Sequence, residues 1–203
     1  MRLHTRLIVA GLVVSLAGSL RAQTTGMPSF NAPYRAFQRS EFGGVVSFPD
    51  GGGTAIEGVY RYAHRRFDIG VRAGMFDPGA GSTALLVGGE IRERVITHNV
   101  DFPLDGALVV GAGGLFVSGG SGFFVPVGIS LGRRVDPKGS SISIVPYVQP
   151  TAILVHSSNP SDTNLNFTLG LGADFRLSRV FDARFSAGIG DLDGVSLAAV
   201  WVH

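Results

Sequence analysis

The sequence predicts an all-β fold, an antiparallel up-and-down β-barrel of ten strands. After residue 40, apolar and polar side chains alternate along stretches of roughly 8–13 residues. Short turns rich in Gly, Pro, Asp and Asn separate these stretches, and no amphipathic helical stretch interrupts them. Gly supplies 30 of the 203 residues without a collagen-like period, which suits turns, bulges and tightly curved strands.

Residues 1–22 predict a cleaved signal peptide. Arg2 and Arg6 precede an uncharged run from Leu7 to Leu20, which is shorter than the roughly 20 residues that a membrane-spanning helix needs. We expect cleavage after Ala22, with an uncleaved anchor as the alternative. The segment carries three Arg and no acid, so 14 Lys and Arg remain against 15 Asp and Glu. This balance gives no support for nucleic-acid binding.

The remaining chain divides into an irregular segment, residues 23–40, and a barrel domain, residues 41–203. The chain has no Cys, so its stability must come from burial and backbone pairing. Short connections between sequential hairpins make a meander that closes into a barrel. The predicted strands are 41–48, 54–63, 67–76, 83–94, 104–117, 122–134, 141–155, 164–177, 181–189 and 194–203.

Charge placement predicts which face of the strands points outward. In 67–76, 164–177 and 181–189 one face is apolar and the other carries Asp, Asn, Arg and Gly. If residues whose numbers sum to 129 face each other, Arg61 meets Asp68 and Glu57 meets Arg72. In the hairpin near Arg179, a sum of 358 pairs Arg176 with Asp182 and Asp174 with Arg184. Direct cross-strand neighbours are the closest pairs in a sheet.

Such pairing favours a polar lumen and an apolar, lipid-facing exterior, because an unpaired charge inside a narrow barrel is costly. The alternative is a soluble barrel with exposed salt bridges. The predicted lumen charge network comprises Glu57, Arg61, Asp68, Arg72, Glu90, Arg92, Arg94, Asp174, Arg176, Asp182 and Arg184.

The C-terminal strand carries apolar residues on one face and ends at His203. Its alternating residues are Val195, Leu197, Ala199 and Trp201. This pattern resembles the assembly signal of bacterial outer-membrane proteins, although their usual last residue is Phe. Together with the signal peptide, the meander and Gly-rich strands such as 109–114, it resembles the small outer-membrane β-barrels, which include the OmpA transmembrane domain, OmpX and OmpW.

This resemblance implies a transmembrane barrel in the cell outer membrane of a Gram-negative-type envelope. Outer-membrane lipid and the barrel-assembly machinery would be its partners. These relatives have eight strands, so eight is the alternative count. The resemblance is architectural, covers roughly residues 41–203 and transfers no functional residue.

Acidic residues mark one end of the predicted barrel. The connections on the side away from the N-terminus hold Asp, with no Lys or Arg, and predict divalent cations as partners at an anionic lipid surface. The alternative is that Asp simply suits turns. The acids are Asp50, Asp77, Asp162, Asp191 and Asp193.

No catalytic residue, cofactor or metal site is predicted. No His lies at metal-ligand spacing from another. His156, Ser157, Ser158 and Asp162 are the residues from which an outer-rim hydrolase would be assembled.

The leading hypothesis is a non-enzymatic barrel with a side-chain-filled, charge-paired lumen and a structural or surface-interaction role. Alternatives are a narrow pore or lateral conduit for small or apolar solutes, an outer-rim hydrolase, and a soluble secreted ligand-binding barrel. The pore hypothesis is supported by small residues on the predicted inner face, namely Gly70, Gly74, Gly170, Gly172, Gly188 and Ser130.

Overall fold

The computed structural model describes residues 24–33 and 39–203 of the chain. The predicted signal peptide, residues 1–22, lies outside the described residues. No helix among the described residues is long and apolar enough to cross a membrane.

Ten antiparallel strands form the fold, as the alternation predicts. The first half contains β1 (Glu41–Pro49), β2 (Thr54–His64), β3 (Phe67–Asp77), β4 (Ala84–Ile96) and β5 (Asp105–Val117). The second half contains β6 (Gly120–Gly132), β7 (Ser143–Ser158), β8 (Ser161–Arg176), β9 (Phe181–Gly190) and β10 (Gly194–Val202). The ten-strand count is confirmed, and the alternative of eight strands is wrong.

Each strand pairs with its neighbour in the chain, and the barrel closes where β1 pairs with β10. This last pairing runs from Glu41 opposite Val202 to Pro49 opposite Gly194, which is the whole of β1. Closure gives every strand two neighbours, so the sheet has no free edge. The up-and-down topology is therefore confirmed.

The strands differ in length, and one prediction near their ends is wrong. We expected a loop over residues 156–163, but β7 and β8 continue to the pair Ser158–Ser161 and leave only a two-residue turn, Asn159–Pro160. The two strands have 16 residues each, whereas β1 and β10 have nine. Since about 9–11 tilted residues span a bilayer, this hairpin is long enough to project beyond the lipid.

The exterior of the barrel is apolar. Ile69, Val71 and Met75 of β3 point outward with exposed fractions of 42%, 54% and 59%. Their neighbours Asp68 and Arg72 point inward and are buried. This distribution is the reverse of a soluble barrel and is that of a membrane barrel.

Aromatic side chains gather outside the barrel at the end where β1 begins and β10 ends. Trp201 stacks on Phe42 at a centroid distance of 6.0 Å and meets Phe181 edge-on at 5.2 Å. The His203 ring lies 6.0 Å from Phe42 and 6.3 Å from Tyr60. Aromatic girdles of this kind mark the membrane–water interface of β-barrels. His203 therefore lies among aromatic rings at the seam between β10 and β1.

Candidate functional site: the barrel lumen

Arg61 is the centre of the charge network in the lumen. Its Nη1 lies 2.6 Å from Asp68 Oδ1, its Nε lies 3.3 Å from Glu41 Oε1, and its Nη2 contacts Glu90. Arg92 also binds Asp68: its Nε donates to Oδ1 at 3.0 Å and its Nη2 donates to Oδ2 at 3.1 Å. All five side chains are at least nine-tenths buried. Partners on both sides offset the cost of burying these charges.

Arg184 forms a second centre, and Glu41 joins it to the first. The guanidinium of Arg184 binds Glu41 through two hydrogen bonds of 2.6 and 2.8 Å. It also lies 3.3 Å from Asp174 and 3.9 Å from Asp182. Glu41 is absent from the predicted network. The signal available in the sequence is that Glu41 alternates with Phe42 and shares its strand face with Ser47. With Glu41, the network holds six acids and six Arg.

The register of one predicted hairpin is wrong by two residues. In β2 and β3, Ala63 is opposite Asp68 and Val59 is opposite Arg72, because the turn lies at Arg65 and Arg66. The expected ion pairs are diagonal instead of direct: Arg61 still reaches Asp68, and Arg72 Nη1 lies 3.8 Å from Glu57 Oε2. Diagonal neighbours lie within reach of long side chains.

The other predicted hairpin has the expected register, with Arg176 opposite Asp182 and Asp174 opposite Arg184. Arg176 is half-buried at the rim, where its guanidinium donates hydrogen bonds to the carbonyl oxygens of Ser178 and Arg179. Arg94 is also half-buried, near the end of β4. The structure thus places the predicted charges on the inner face or at its rim.

The N-terminal segment Thr24–Pro33 lies inside the barrel and was missed by sequence reasoning. All ten of its residues are buried, including Met27 and Phe30, which are at most 2% exposed. It begins beside β4 and β5, where Thr24 contacts Gly88, Gly111 and Gly113. Its other end reaches β6, where Pro33 lies beside Gly132. Residues 24–33 of the predicted irregular segment therefore fill part of the lumen.

Apolar side chains fill the half of the lumen away from the end where β1 begins and β10 ends. Phe76, Leu86, Phe124 and Ile153 are at most 2% exposed and pack in one cluster with Met27 of the segment. A cavity lies beside the charge network, lined among others by Arg61, Arg72 and Glu90. It leaves space of about 30 Å³, room for about two water molecules.

The predicted hydrolase residues do not assemble into a triad. His156 pairs with Thr163, whose hydroxyl lies 2.9 Å from Nδ1, and Ser157 pairs with Asp162 on the opposite face of the hairpin. Ser158 bonds the hydroxyl of Ser121. Within residues 24–33 and 39–203, no group of three or more His, Cys, Asp or Glu side chains is placed to hold a metal ion.

Three of the acidic residues at the far end accept hydrogen bonds from backbone N–H groups in or beside the connections. The side chain of Asp77 accepts from Gly79 N at 2.9 Å, that of Asp191 from Phe167 N at 2.9 Å, and that of Asp193 from Gly190 N at 2.6 Å. These bonds agree with the ordinary role of Asp in turns. Divalent-cation bridging stays a prediction.

The comparisons with known proteins return similar folds only. No family model and no curated protein matches the chain. Among solved structures, a de novo designed transmembrane β-barrel is 15% identical with a TM-score of 0.42, covering 84% of this chain and 99% of that one. The β domain of the Bordetella autotransporter BrkA is 14% identical with a TM-score of 0.43, covering 81% of this chain and 98% of that one.

Proposed function

We propose that the chain is an exported protein of the cell outer membrane, with a lumen that its own N-terminal segment keeps closed. Its role is structural or that of a surface-interaction protein. The apolar exterior and the aromatic residues at one rim support insertion in lipid. The signal peptide, residues 1–22, and recognition of β10 by the barrel-assembly machinery belong to the same proposal.

One observation carries the closed state: residues 24–33 are all buried in the lumen, and the cavity beside them has room for about two waters. A conducting pore needs a continuous aqueous path. Here the polar half of the lumen is occupied by ion pairs, and the apolar half by a packed cluster that includes Met27. Both halves favour a barrel that does not conduct ions.

The small inner residues that favoured a pore are covered by larger neighbours. A Cβ on Gly70 would lie 3.1 Å from the Arg61 guanidinium, and one on Gly74 would lie 2.8 Å from Glu57 Cγ. A Cβ on Gly172 would meet the Tyr147 hydroxyl at 2.4 Å. These glycines make room for neighbouring side chains and strand backbone rather than for water. The narrow pore is therefore the weaker candidate.

Planar-bilayer recording of the purified mature chain tests the proposal. We expect no stepwise conductance from the wild-type protein, and a stable open conductance would contradict the closed lumen. Solubility distinguishes the membrane barrel from a secreted soluble one. A folded, monomeric chain in buffer without detergent would refute the membrane assignment.

A further inference from the structure

The hydrogen bonds between the lumen and residues 24–33 go mainly to the main chain of this segment. Backbone pairing in the closed barrel already uses the N–H and C=O groups of the strands. A segment inside must therefore be held by inward-facing side chains. Ser186 accepts from Phe30 N at 3.2 Å, and Gln149 accepts from Asn31 N at 3.4 Å.

Carbonyl oxygens of the segment are bound in the same way. The Pro28 carbonyl accepts hydrogen bonds from the hydroxyls of Ser186 at 3.2 Å and Ser196 at 3.0 Å. The Asn31 carbonyl accepts from Ser130 at 2.8 Å, and the Ala32 carbonyl from Arg92 at 2.8 Å. These contacts come from β4, β6, β9 and β10. Since every polypeptide offers such groups, contacts to them place few demands on sequence.

Several glycines on the barrel wall leave the space that side chains of the segment occupy. A Cβ on Gly88 would lie 2.8 Å from Thr24 Cβ, and its three nearest atoms would all belong to Thr24. A Cβ on Gly170 would lie 2.3 Å from the Phe30 ring, and its three nearest atoms would all belong to Phe30. Gly188 also borders this ring, at 3.2 Å. The wall thus contains an aromatic seat, formed at Gly170 and Gly188, and a second close contact, between Gly88 and Thr24.

The segment carries no charge that the lumen needs for neutrality. Residues 24–33 contain no charged side chain, whereas the network around them has six acids and six Arg without it. Only two side chains of the segment bond network residues: Ser29 accepts from Arg72 at 2.9 Å, and Asn31 donates to Glu90 at 3.2 Å. The barrel charges are therefore balanced whether or not the segment is present.

We propose that the lumen is a binding site for a short, uncharged polypeptide, occupied in cis by residues 24–33. The same site takes such a peptide in trans when the cis segment is replaced. The aromatic seat at Gly170 and Gly188 sets the preferred side chain. This site does not require the surface role proposed above.

The test uses the full chain with residues 24–33 replaced by ten Gly and Ser residues, refolded in detergent with and without a labelled peptide of sequence 24–33. Fluorescence anisotropy measures binding of the peptide. We expect saturable binding, at least about tenfold weaker for the peptide carrying Phe30→Ala. The wild-type barrel should not bind at the same concentration, because its tethered segment has an effective concentration on the order of millimolar.

Two glycine variants of the replaced chain provide the control. Gly170→Ala should weaken binding of the wild-type peptide but leave that of the Phe30→Ala peptide unchanged or tighter. Gly89→Ala, where the added Cβ would have no neighbour closer than 3.4 Å, should change neither. Folding of the replaced chain only when peptide is present would also support the site.

Two results would overturn the proposal. One is a replaced chain that folds but binds the two peptides equally or not at all. The other is a replaced chain that folds neither alone nor with peptide, which would make residues 24–33 an inseparable part of the core. Conductance of the wild-type barrel is a different measurement, so the closed-lumen proposal fails or stands independently.

Discussion

Replacing Arg61 with Met should destabilise the barrel by about 3 kcal/mol, at the lower end of the usual cost of breaking a buried ion pair. The structure gives the reason for this magnitude. After the change, Asp68 keeps Arg92 at 3.0 Å and Glu41 keeps Arg184 at 2.6 Å. Glu90 loses its contact with the guanidinium of Arg61 and keeps the amide of Asn31 at 3.2 Å. The cost is thus mainly that of one buried carboxylate without a close cation.

The double variant Arg61→Met, Glu90→Gln should regain part of the stability that Arg61→Met loses. Glu90→Gln replaces the carboxylate that Arg61→Met leaves without a cation by a neutral amide. The two changes together should therefore cost at least about 1 kcal/mol less than the sum of the single changes. Lys138→Met, in an exposed connection, is the matched control and should stay within about 0.5 kcal/mol of wild type.

Urea unfolding in detergent micelles measures these free energies. Trp201, the single Trp of the chain, lies on the lipid-facing side of the seam and reports unfolding by fluorescence. An Arg61→Met barrel as stable as the Lys138→Met control would refute the network as described. Strict additivity of Arg61→Met and Glu90→Gln would refute the central place of the Arg61–Glu90 contact.

Four further substitutions test other parts of the barrel. Val71→Arg should cost about 2–4 kcal/mol in lipid vesicles because Val71 faces the bilayer, whereas a neutral effect would indicate a water-facing strand. Phe30→Ala should cost about 3–5 kcal/mol and Gly170→Ala about 1–3 kcal/mol. Their sum should exceed the cost of the double variant in the same unfolding assay, and additive costs would show that the two sites do not touch. Arg65→Asn should stabilise by about 0.5–1 kcal/mol, since Arg65 has a φ of 50°; a loss of thermal stability would contradict this turn geometry.

The strands and their inner faces were predictable because they depend on local alternation. The register error between β2 and β3 did not change which residues face inward, since a shift of two residues keeps each side chain on its face. Neither the turn at Arg65 and Arg66 nor the turn at 177–180 contains the Gly or Asn that usually marks a hairpin turn, so the local sequence determined neither register. The register assumed from charge pairing is correct for the hairpin at 177–180 and wrong by two residues for β2 and β3.

Contacts made only on closure were not predictable in this way. Glu41 meets Arg184 across the seam, from a position 143 residues away. Residues 24–33 have no strand-like alternation, and their two prolines indicate irregular backbone. What identifies their place is the match between Thr24 or Phe30 and glycines on distant strands, which requires the closed barrel.

A single Cys at position 29 tests most directly whether the N-terminal segment fills the lumen. The chain has no Cys of its own, and Ser29 is 5% exposed. In the folded barrel, Ser29→Cys should react with a water-soluble maleimide at least about 100-fold more slowly than Ser140→Cys or Ser161→Cys, whose parent residues are exposed at opposite ends of the barrel. Equal rates at all three positions would contradict a lumen closed by residues 24–33.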